Sequence, residues 1–167
     1  MVHPTDAGWY NEQVTLGYNY RMTDIQAALL ISQLNKLEAF SKRRKEIVAK
    51  YDEVFREIPQ IKVQEEIPQS DTTRHLYILR LDLDKLTCDR RQFFDALKAE
   101  NIISQVHYLP VYWHSYYEKL GYEKGLCPEA EKYYMESMSL PLYYSMTEED
   151  VEDVICVVKK LITYYAR

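Results

Sequence analysis

LGYNYRMTDIQAALL, residues 16–30, places a turn signal, a polar–aromatic cluster and a helix start side by side. Gly17 is free to take the positive φ of a tight turn. Tyr18, Asn19, Tyr20 and Arg21 follow, mixing aromatic rings with an amide and a guanidinium. Thr23 has the character of an N-cap, and Gln26, three residues on, completes a capping box. Asp24 in the first turn suits the positive end of the helix dipole. This spacing predicts a helix from Thr23 onward and puts Asn19 and Arg21 on a short loop pinned between a bend and a helix tip. Such a loop can hold an anion or a sugar in one pose. A plainer reading is equally open from spacing alone: a connector with buried tyrosines and Arg21 paired to a carboxylate.

Working outward, no glycine or proline interrupts residues 23–58. Leu30, Leu34 and Leu37, then Ile47, Tyr51 and Val54, recur at spacings of three and four, which predicts one long helix over 23–58. At 1.5 Å per residue it would run roughly 50 Å. A compact chain of this length is only about 40 Å across. The helix is therefore expected either to overhang the body or to break near residues 40–43. An overhanging apolar stripe calls for a partner, which points to self-association. Lys42, Arg43, Arg44 and Lys45 form a basic run read as a solvated face. Before the loop, residues 1–15 show no periodicity, and Trp9 and Tyr10 are expected to pack.

Pro59 stops the helix. A short strand is expected at 61–63, a polar loop at 65–71, and a buried strand within RHLYILRLD (74–82). Thr87 is read as the cap of a helix over 89–100, with Phe93, Phe94 and Leu97 inward. IISQVHY (102–108) reads as the next strand, ended by Pro110. A small helix at 115–120 follows, then a loop framed by Gly121 and Gly125. Pro128 opens a helix to residue 138, and residues 140–142 are a brief extended piece. Thr147 with Asp150 starts the last helix, whose apolar face is Val151, Val154, Ile155, Val158, Leu161 and Ile162. The fold class is α+β: a long N-terminal helix, then a small sheet covered by helices. The organisation is a lead-in and loop at 1–22, the helix at 23–58, and an α+β domain at 59–167.

Composition narrows the function. With 47% apolar residues the 167-residue chain can bury one core, and its sixteen tyrosines favour half-buried surfaces. A net charge of −5 argues against a general binder of nucleic acid or anionic membrane. No apolar run reaches bilayer length and no signal-peptide pattern opens the chain, so a cytoplasmic protein is expected. Cys88, Cys127 and Cys156 are widely spread without a CxxC, as reduced thiols would be. His3, His75, His107 and His114 have no metal-ligand spacing. The four glycines leave 18–120 empty, so no phosphate-cradling glycine loop can be drawn there.

Residues 17–28, GYNYRMTDIQAA, resemble the pattern G-[YF]-N-[YF]-R-[ML]-[ST]-[DE]-[IL]-Q-A-A of the DegT family of pyridoxal-phosphate-dependent nucleotide-sugar aminotransferases, at twelve consecutive positions. QVHYLPVY (105–112), GLCPEAEKYYMESMSLPL (125–142) and SMTEEDVEDVICVVKKL (145–161) extend the resemblance over nearly the whole chain. The resemblance implies the small C-terminal domain of a fold-type-I aminotransferase. In that family the reactive lysine lies further upstream, before a Gly-Glu-Gly-Gly segment that these residues do not contain. The chain is thus expected to be a C-terminal portion with no catalytic residue of its own, inactive alone, and the complete enzyme a homodimer.

By that resemblance Asn19 and Arg21 face the cofactor phosphate of the neighbouring subunit. Arg21 is also placed to meet substrate anions, and His107 and Tyr108 contact the keto-sugar. Trp113, His114, Tyr116 and Tyr117 form an aromatic cluster that could stack on a sugar or simply pack. The implied reaction moves an amino group, usually from glutamate, onto a nucleotide-linked 4-keto-6-deoxy sugar. The run QVHYLPVYWHSYYEKLGY (105–122) is closest to enzymes of pseudaminic-acid and spore-coat polysaccharide synthesis. Two other classes stay open: a non-catalytic dimerising domain and an RNA-binding α+β module. The second lacks an RNP-like aromatic strand with interleaved basic residues.

Overall fold

A computed structural model describes residues 15–18 and 20–167. Asn19 and the lead-in 1–14, with Trp9 and Tyr10, lie outside them. The chain divides into two compact units, Met1–Leu37 and Glu38–Arg167.

In the first unit, helix α1 (Asp24–Leu34) starts as its sequence predicts. The Thr23 hydroxyl accepts from the Gln26 N–H, and the Gln26 side chain accepts from the Thr23 N–H at 3.0 Å. None of its residues is buried; Ile25, Leu29, Leu30, Ile31 and Leu34 all lie exposed. The expected single helix is two. Asn35 and Lys36 form a turn, and α2 spans Leu37–Phe55. Asn35 keeps right-handed helical angles (φ −62°, ψ −16°), so the leucine spacing carries on across the break and hides it from a periodicity argument. Asparagine prefers caps to helix interiors, which accounts for a break here and not at 40–43.

In the second unit, α2 buries Ile47, Val48, Tyr51 and Phe55. The sheet is three antiparallel strands in the order β1 (Ile61–Val63), β2 (Tyr77–Leu81), β3 (Ser137–Leu140). β2 alternates: Tyr77, Leu79 and Leu81 are buried in the core while Ile78 and Arg80 are half-buried on the opposite face. The core joins these residues to Met138 and Leu140 of β3, Phe93 and Leu97 of α3 (Arg90–Ala99), and the predicted apolar face of α6 (Glu148–Tyr165). Burial of this face, at about 25 cal/mol per Å² of apolar surface, is the main term holding the unit together. α4 (Ser115–Glu118) and α5 (Pro128–Glu136) lie between α3 and β3. α5 ends at Glu136 and runs directly into β3, so the strand precedes the expected 140–142, and Pro141, lacking an N–H, follows its last residue.

The cap of α3 is Asp89, not Thr87. Asp89 forms a capping box with Gln92, while Thr87 donates its N–H (2.7 Å) and its hydroxyl (3.0 Å) to the Tyr165 carbonyl at the end of α6. Both residues satisfy the cap preference, and only Asp89 has the glutamine three positions on. α3 closes through Asn101 at φ 64°. The Ile102 N–H bonds the Leu97 carbonyl (2.9 Å) and the Asn101 N–H the Lys98 carbonyl (3.1 Å), a Schellman pair with buried Ile102 and Leu97 as its apolar contact.

Residues 42–45 are not a solvated face throughout. Arg43 donates to Glu148 (2.9 Å) and to the Met146 carbonyl (2.7 Å), and Lys45 bonds Asp71. Lys50 also bonds Glu148, so one carboxylate fastens α2 to the start of α6.

Two outcomes follow. Asn101→Ala should lower unfolding stability by about 1 kcal/mol, because alanine lacks the short polar side chain that eases asparagine into the left-handed region, whereas Asn101→Gly should match or exceed wild type in urea melts. The bonds from Lys50, then Arg43, hold the Glu148 carboxyl below its usual value of 4.5. Its contribution is therefore complete above pH 4.5 and lost as pH falls through the folded value. The stability difference between wild type and Glu148→Gln should be constant near neutrality and shrink below pH 4.5 in a pH series of denaturant melts.

Candidate functional site

The 17–23 loop is held mainly by the helix cap at its end. Gly17 does not take a positive φ, and nothing stands within 4 Å of the position a Cβ would occupy. The Tyr20 N–H bonds the Tyr18 carbonyl (3.0 Å), and the two rings stack at 5.4 Å. Tyr18 and Tyr20 are 85% and 87% exposed, which rules out the connector with buried tyrosines within this chain. Arg21 is exposed as well, and no carboxylate among the described residues pairs with it. Asn19 stands outside the described residues.

The second group of residues is built on the outer edge of β3. The predicted strand 102–108 pairs with β3 at Gln105 alone. Gln105 donates its N–H to the Ser139 carbonyl (3.1 Å) and accepts from the Ser139 N–H (2.8 Å). Two residues further, His107 Nε2 lies 2.9 Å from Ser139 Oγ. His107 is half-buried, its Nδ1 is enclosed without a partner, and its ring meets Tyr108 edge-on at 4.7 Å and 86°. The peptide between them is cis. Tyr108, 77% exposed, carries its phenol outward. The two residues paired by sequence thus divide the work: the histidine's polar atoms face the protein and the tyrosine faces outward.

The far end of this segment is clamped to α5. The Tyr112 hydroxyl donates to Glu131 Oε1 at 2.6 Å, the Gly125 N–H reaches the same oxygen, and the Cys127 N–H donates to the Tyr112 oxygen at 3.2 Å. Gly125 has φ +93°, so the loop needs glycine there. The Tyr112 hydroxyl lowers the Glu131 carboxyl below its usual range. Desolvation, then the bond to Glu131, pushes the Tyr112 phenol up to about 12. Residues 105–112 are therefore fixed at both ends, by β3 and by α5, and 107–108 are presented between.

The aromatic cluster of the sequence separates. Trp113 packs at right angles on Tyr134 (5.7 Å), with Lys124 over its ring at 4.7 Å, and Tyr117 packs on Tyr116 and Tyr122. Trp113 is half-buried packing, and His114 and Tyr116 are exposed. Among the described residues no cluster of three His, Cys, Asp or Glu could hold a metal. No helix among them is long and apolar enough to cross a membrane.

Sequence reasoning missed the polar face of the sheet. Arg80 of β2 donates to Glu136 at 3.1 and 2.6 Å and lies over Tyr133 at 5.5 Å, and Ser137 and Ser139 are buried on the same face. The available signal was the alternation Ser-Met-Ser-Leu over 137–140, small polar against apolar with period two.

The chain matches the DegT/DnrJ/EryC1/StrS aminotransferase family over residues 2–159. It is 39% identical over 162 residues to the spore coat polysaccharide biosynthesis protein SpsC of Bacillus subtilis, covering 96% of this chain and 42% of that protein. It is 35% identical over 146 residues to the UDP-4-amino-4,6-dideoxy-N-acetyl-beta-L-altrosamine transaminase of Campylobacter jejuni, covering 87% and 38%. The structure superposes on Helicobacter pylori PseC, an aminotransferase involved in the biosynthesis of pseudoaminic acid, with a TM-score of 0.85, 27% identity, and coverage of 96% and 43%. The chain spans about two fifths of the length of these relatives and aligns with their C-terminal portion. With its helices and three-stranded sheet fitting that portion of the fold, this chain belongs to the DegT/DnrJ/EryC1/StrS aminotransferase family.

Proposed function

We propose that this chain is the small-domain part of an aminotransferase that moves an amino group from glutamate onto a nucleotide-linked 4-keto-6-deoxy sugar, in the cytoplasm, for surface polysaccharide synthesis. The relatives named for spore-coat polysaccharide and amino-dideoxy sugar support the substrate class. One observation in the structure carries the reading: Arg21 stands exposed beside a formed helix cap with no carboxylate among the described residues to neutralise it. A guanidinium held this way fits an anion, and its planar fork matches phosphate or carboxylate.

Pyridoxal phosphate, when bound in the complete enzyme, supplies the electron sink for amine transfer. Asn19 would donate its amide to the cofactor phosphate of the neighbouring subunit, and Arg21 would meet the cofactor or substrate anion. His107 and Tyr108 would line the keto-sugar pocket, the tyrosine through its outward phenol and the histidine through its ring. The exposed side chains of α1, Ile25, Leu29, Leu30, Ile31 and Leu34, support a homodimer in which apolar surface is covered on assembly. The reactive lysine belongs to the large domain, so this chain alone is inactive.

Two measurements test this. Incubated with pyridoxal phosphate and reduced with borohydride, the purified chain should retain no label at a single lysine; one stoichiometrically labelled lysine would overturn the assignment. In the complete enzyme, Arg21→Ala and Asn19→Ala should each weaken cofactor binding about 10- to 100-fold, as expected for losing a charge-assisted hydrogen bond of about 1.5–3 kcal/mol, while the melting temperature of the cofactor-free protein stays put. Unchanged cofactor affinity in both variants would contradict the role.

A further inference from the structure

We infer that Ser139 is a positioning residue for nucleotide-sugar binding: its hydroxyl fixes the His107 ring, and that ring sets the direction of Tyr108. The inference rests on the reading of 107–108 as sugar-contacting and adds a residue that the reading leaves out. Ser139 is 4% exposed, so it acts on a ligand only through its neighbours. Its backbone exchanges two hydrogen bonds with Gln105, and its side chain reaches the His107 ring two residues further on. Four bonds thus tie 105–107 to one strand residue: the backbone pair at 3.1 and 2.8 Å, Ser139 Oγ to His107 Nε2 at 2.9 Å, and the Ser139 hydroxyl donating to the Gln105 carbonyl at 3.4 Å.

The side-chain bond is the one that orients the ring. A histidine with one nitrogen bonded and the other enclosed has little freedom about χ2, and because the Ser139 hydroxyl donates to the Gln105 carbonyl (3.4 Å), its oxygen is left to accept from a protonated Nε2. Nδ1 is enclosed without a partner, so the Ser139 bond is the polar restraint on this ring among the described residues. Tyr108 packs on that ring edge-on and is otherwise exposed. A ring released from Ser139 would leave Tyr108 without its support, which a substrate would then restore at the expense of binding energy.

Ser137 provides an internal control. It lies two residues away on the same face of β3, is 1% exposed, and its hydroxyl has no partner among the described residues. Removing that hydroxyl loses no bond, whereas removing the one on Ser139 does.

The anchor is read in this chain and its consequence in the complete enzyme. By ¹⁵N-detected NMR of the chain, the neutral form of His107 should show one fixed tautomer, and Ser139→Ala should average its two nitrogens while Ser137→Ala leaves them unchanged. In the complete enzyme, Ser139→Ala should raise KM for the nucleotide sugar about five- to tenfold, with kcat within twofold and KM for the amino donor unchanged. Ser137→Ala should change none of these. Identical His107 nitrogen shifts in wild type and Ser139→Ala overturn the anchor. If Tyr108→Ala raises KM for the sugar but Ser139→Ala does not, the positioning role fails and the sugar-contact reading stands. If neither does, the sugar-contact reading has failed and the positioning role with it.

Discussion

The sheet of this protein has two unlike faces, and the placing of residues 105–108 depends on that difference. Tyr77, Leu79, Leu81, Met138 and Leu140 turn into the apolar core beneath α2, α3 and α6. Ile78, Arg80, Ser137 and Ser139 turn the other way, where Arg80 pairs with Glu136 and Ser139 bonds His107. A one-residue slip of β3 against β2 would bury both serines in the core and expel Met138 and Leu140, so the register is strongly specified. Because β3 is fixed, Ser139 is fixed, and the 105–108 segment has a rigid edge to dock against. The Tyr112–Glu131 clamp then holds the segment's other end.

Much of this frame was legible in the residues. The capping boxes at Thr23–Gln26 and Thr147–Asp150 formed where their spacing placed them, since that motif is satisfied locally. The apolar face of α6 was read in full, all six of its residues being buried, because eighteen residues give a periodicity that outweighs any single position. What the sequence hid was decided by partners distant along the chain. Thr87 looks like a cap until the end of α6 takes its donors, and residues 102–108 look like a strand although only Gln105 finds a partner. Arg43 looks solvated until Glu148 arrives from elsewhere, whereas Lys42 and Lys45 do stay exposed.

The candidate site was half legible. Its residue types were visible, but their division of labour was not: His107 directs its polar atoms into the protein and Tyr108 faces out. Gly17 takes no positive φ, and Arg21 stands exposed two residues before the cap of α1. The exposed apolar side chains of α1, none of them buried, are the costly feature of this unit, whereas the hydrated Arg21 guanidinium is not.

The docking of the site segment on β3 is the claim from which the roles of His107, Tyr108 and Ser139 all descend, and amide hydrogen exchange measures it directly. The Gln105 and Ser139 amides should exchange as slowly as those of the β2–β3 ladder, opening only with the unit as a whole. Exchange of the Gln105 amide at the rate of an exposed loop, with Leu79 and Arg80 still protected, would contradict it.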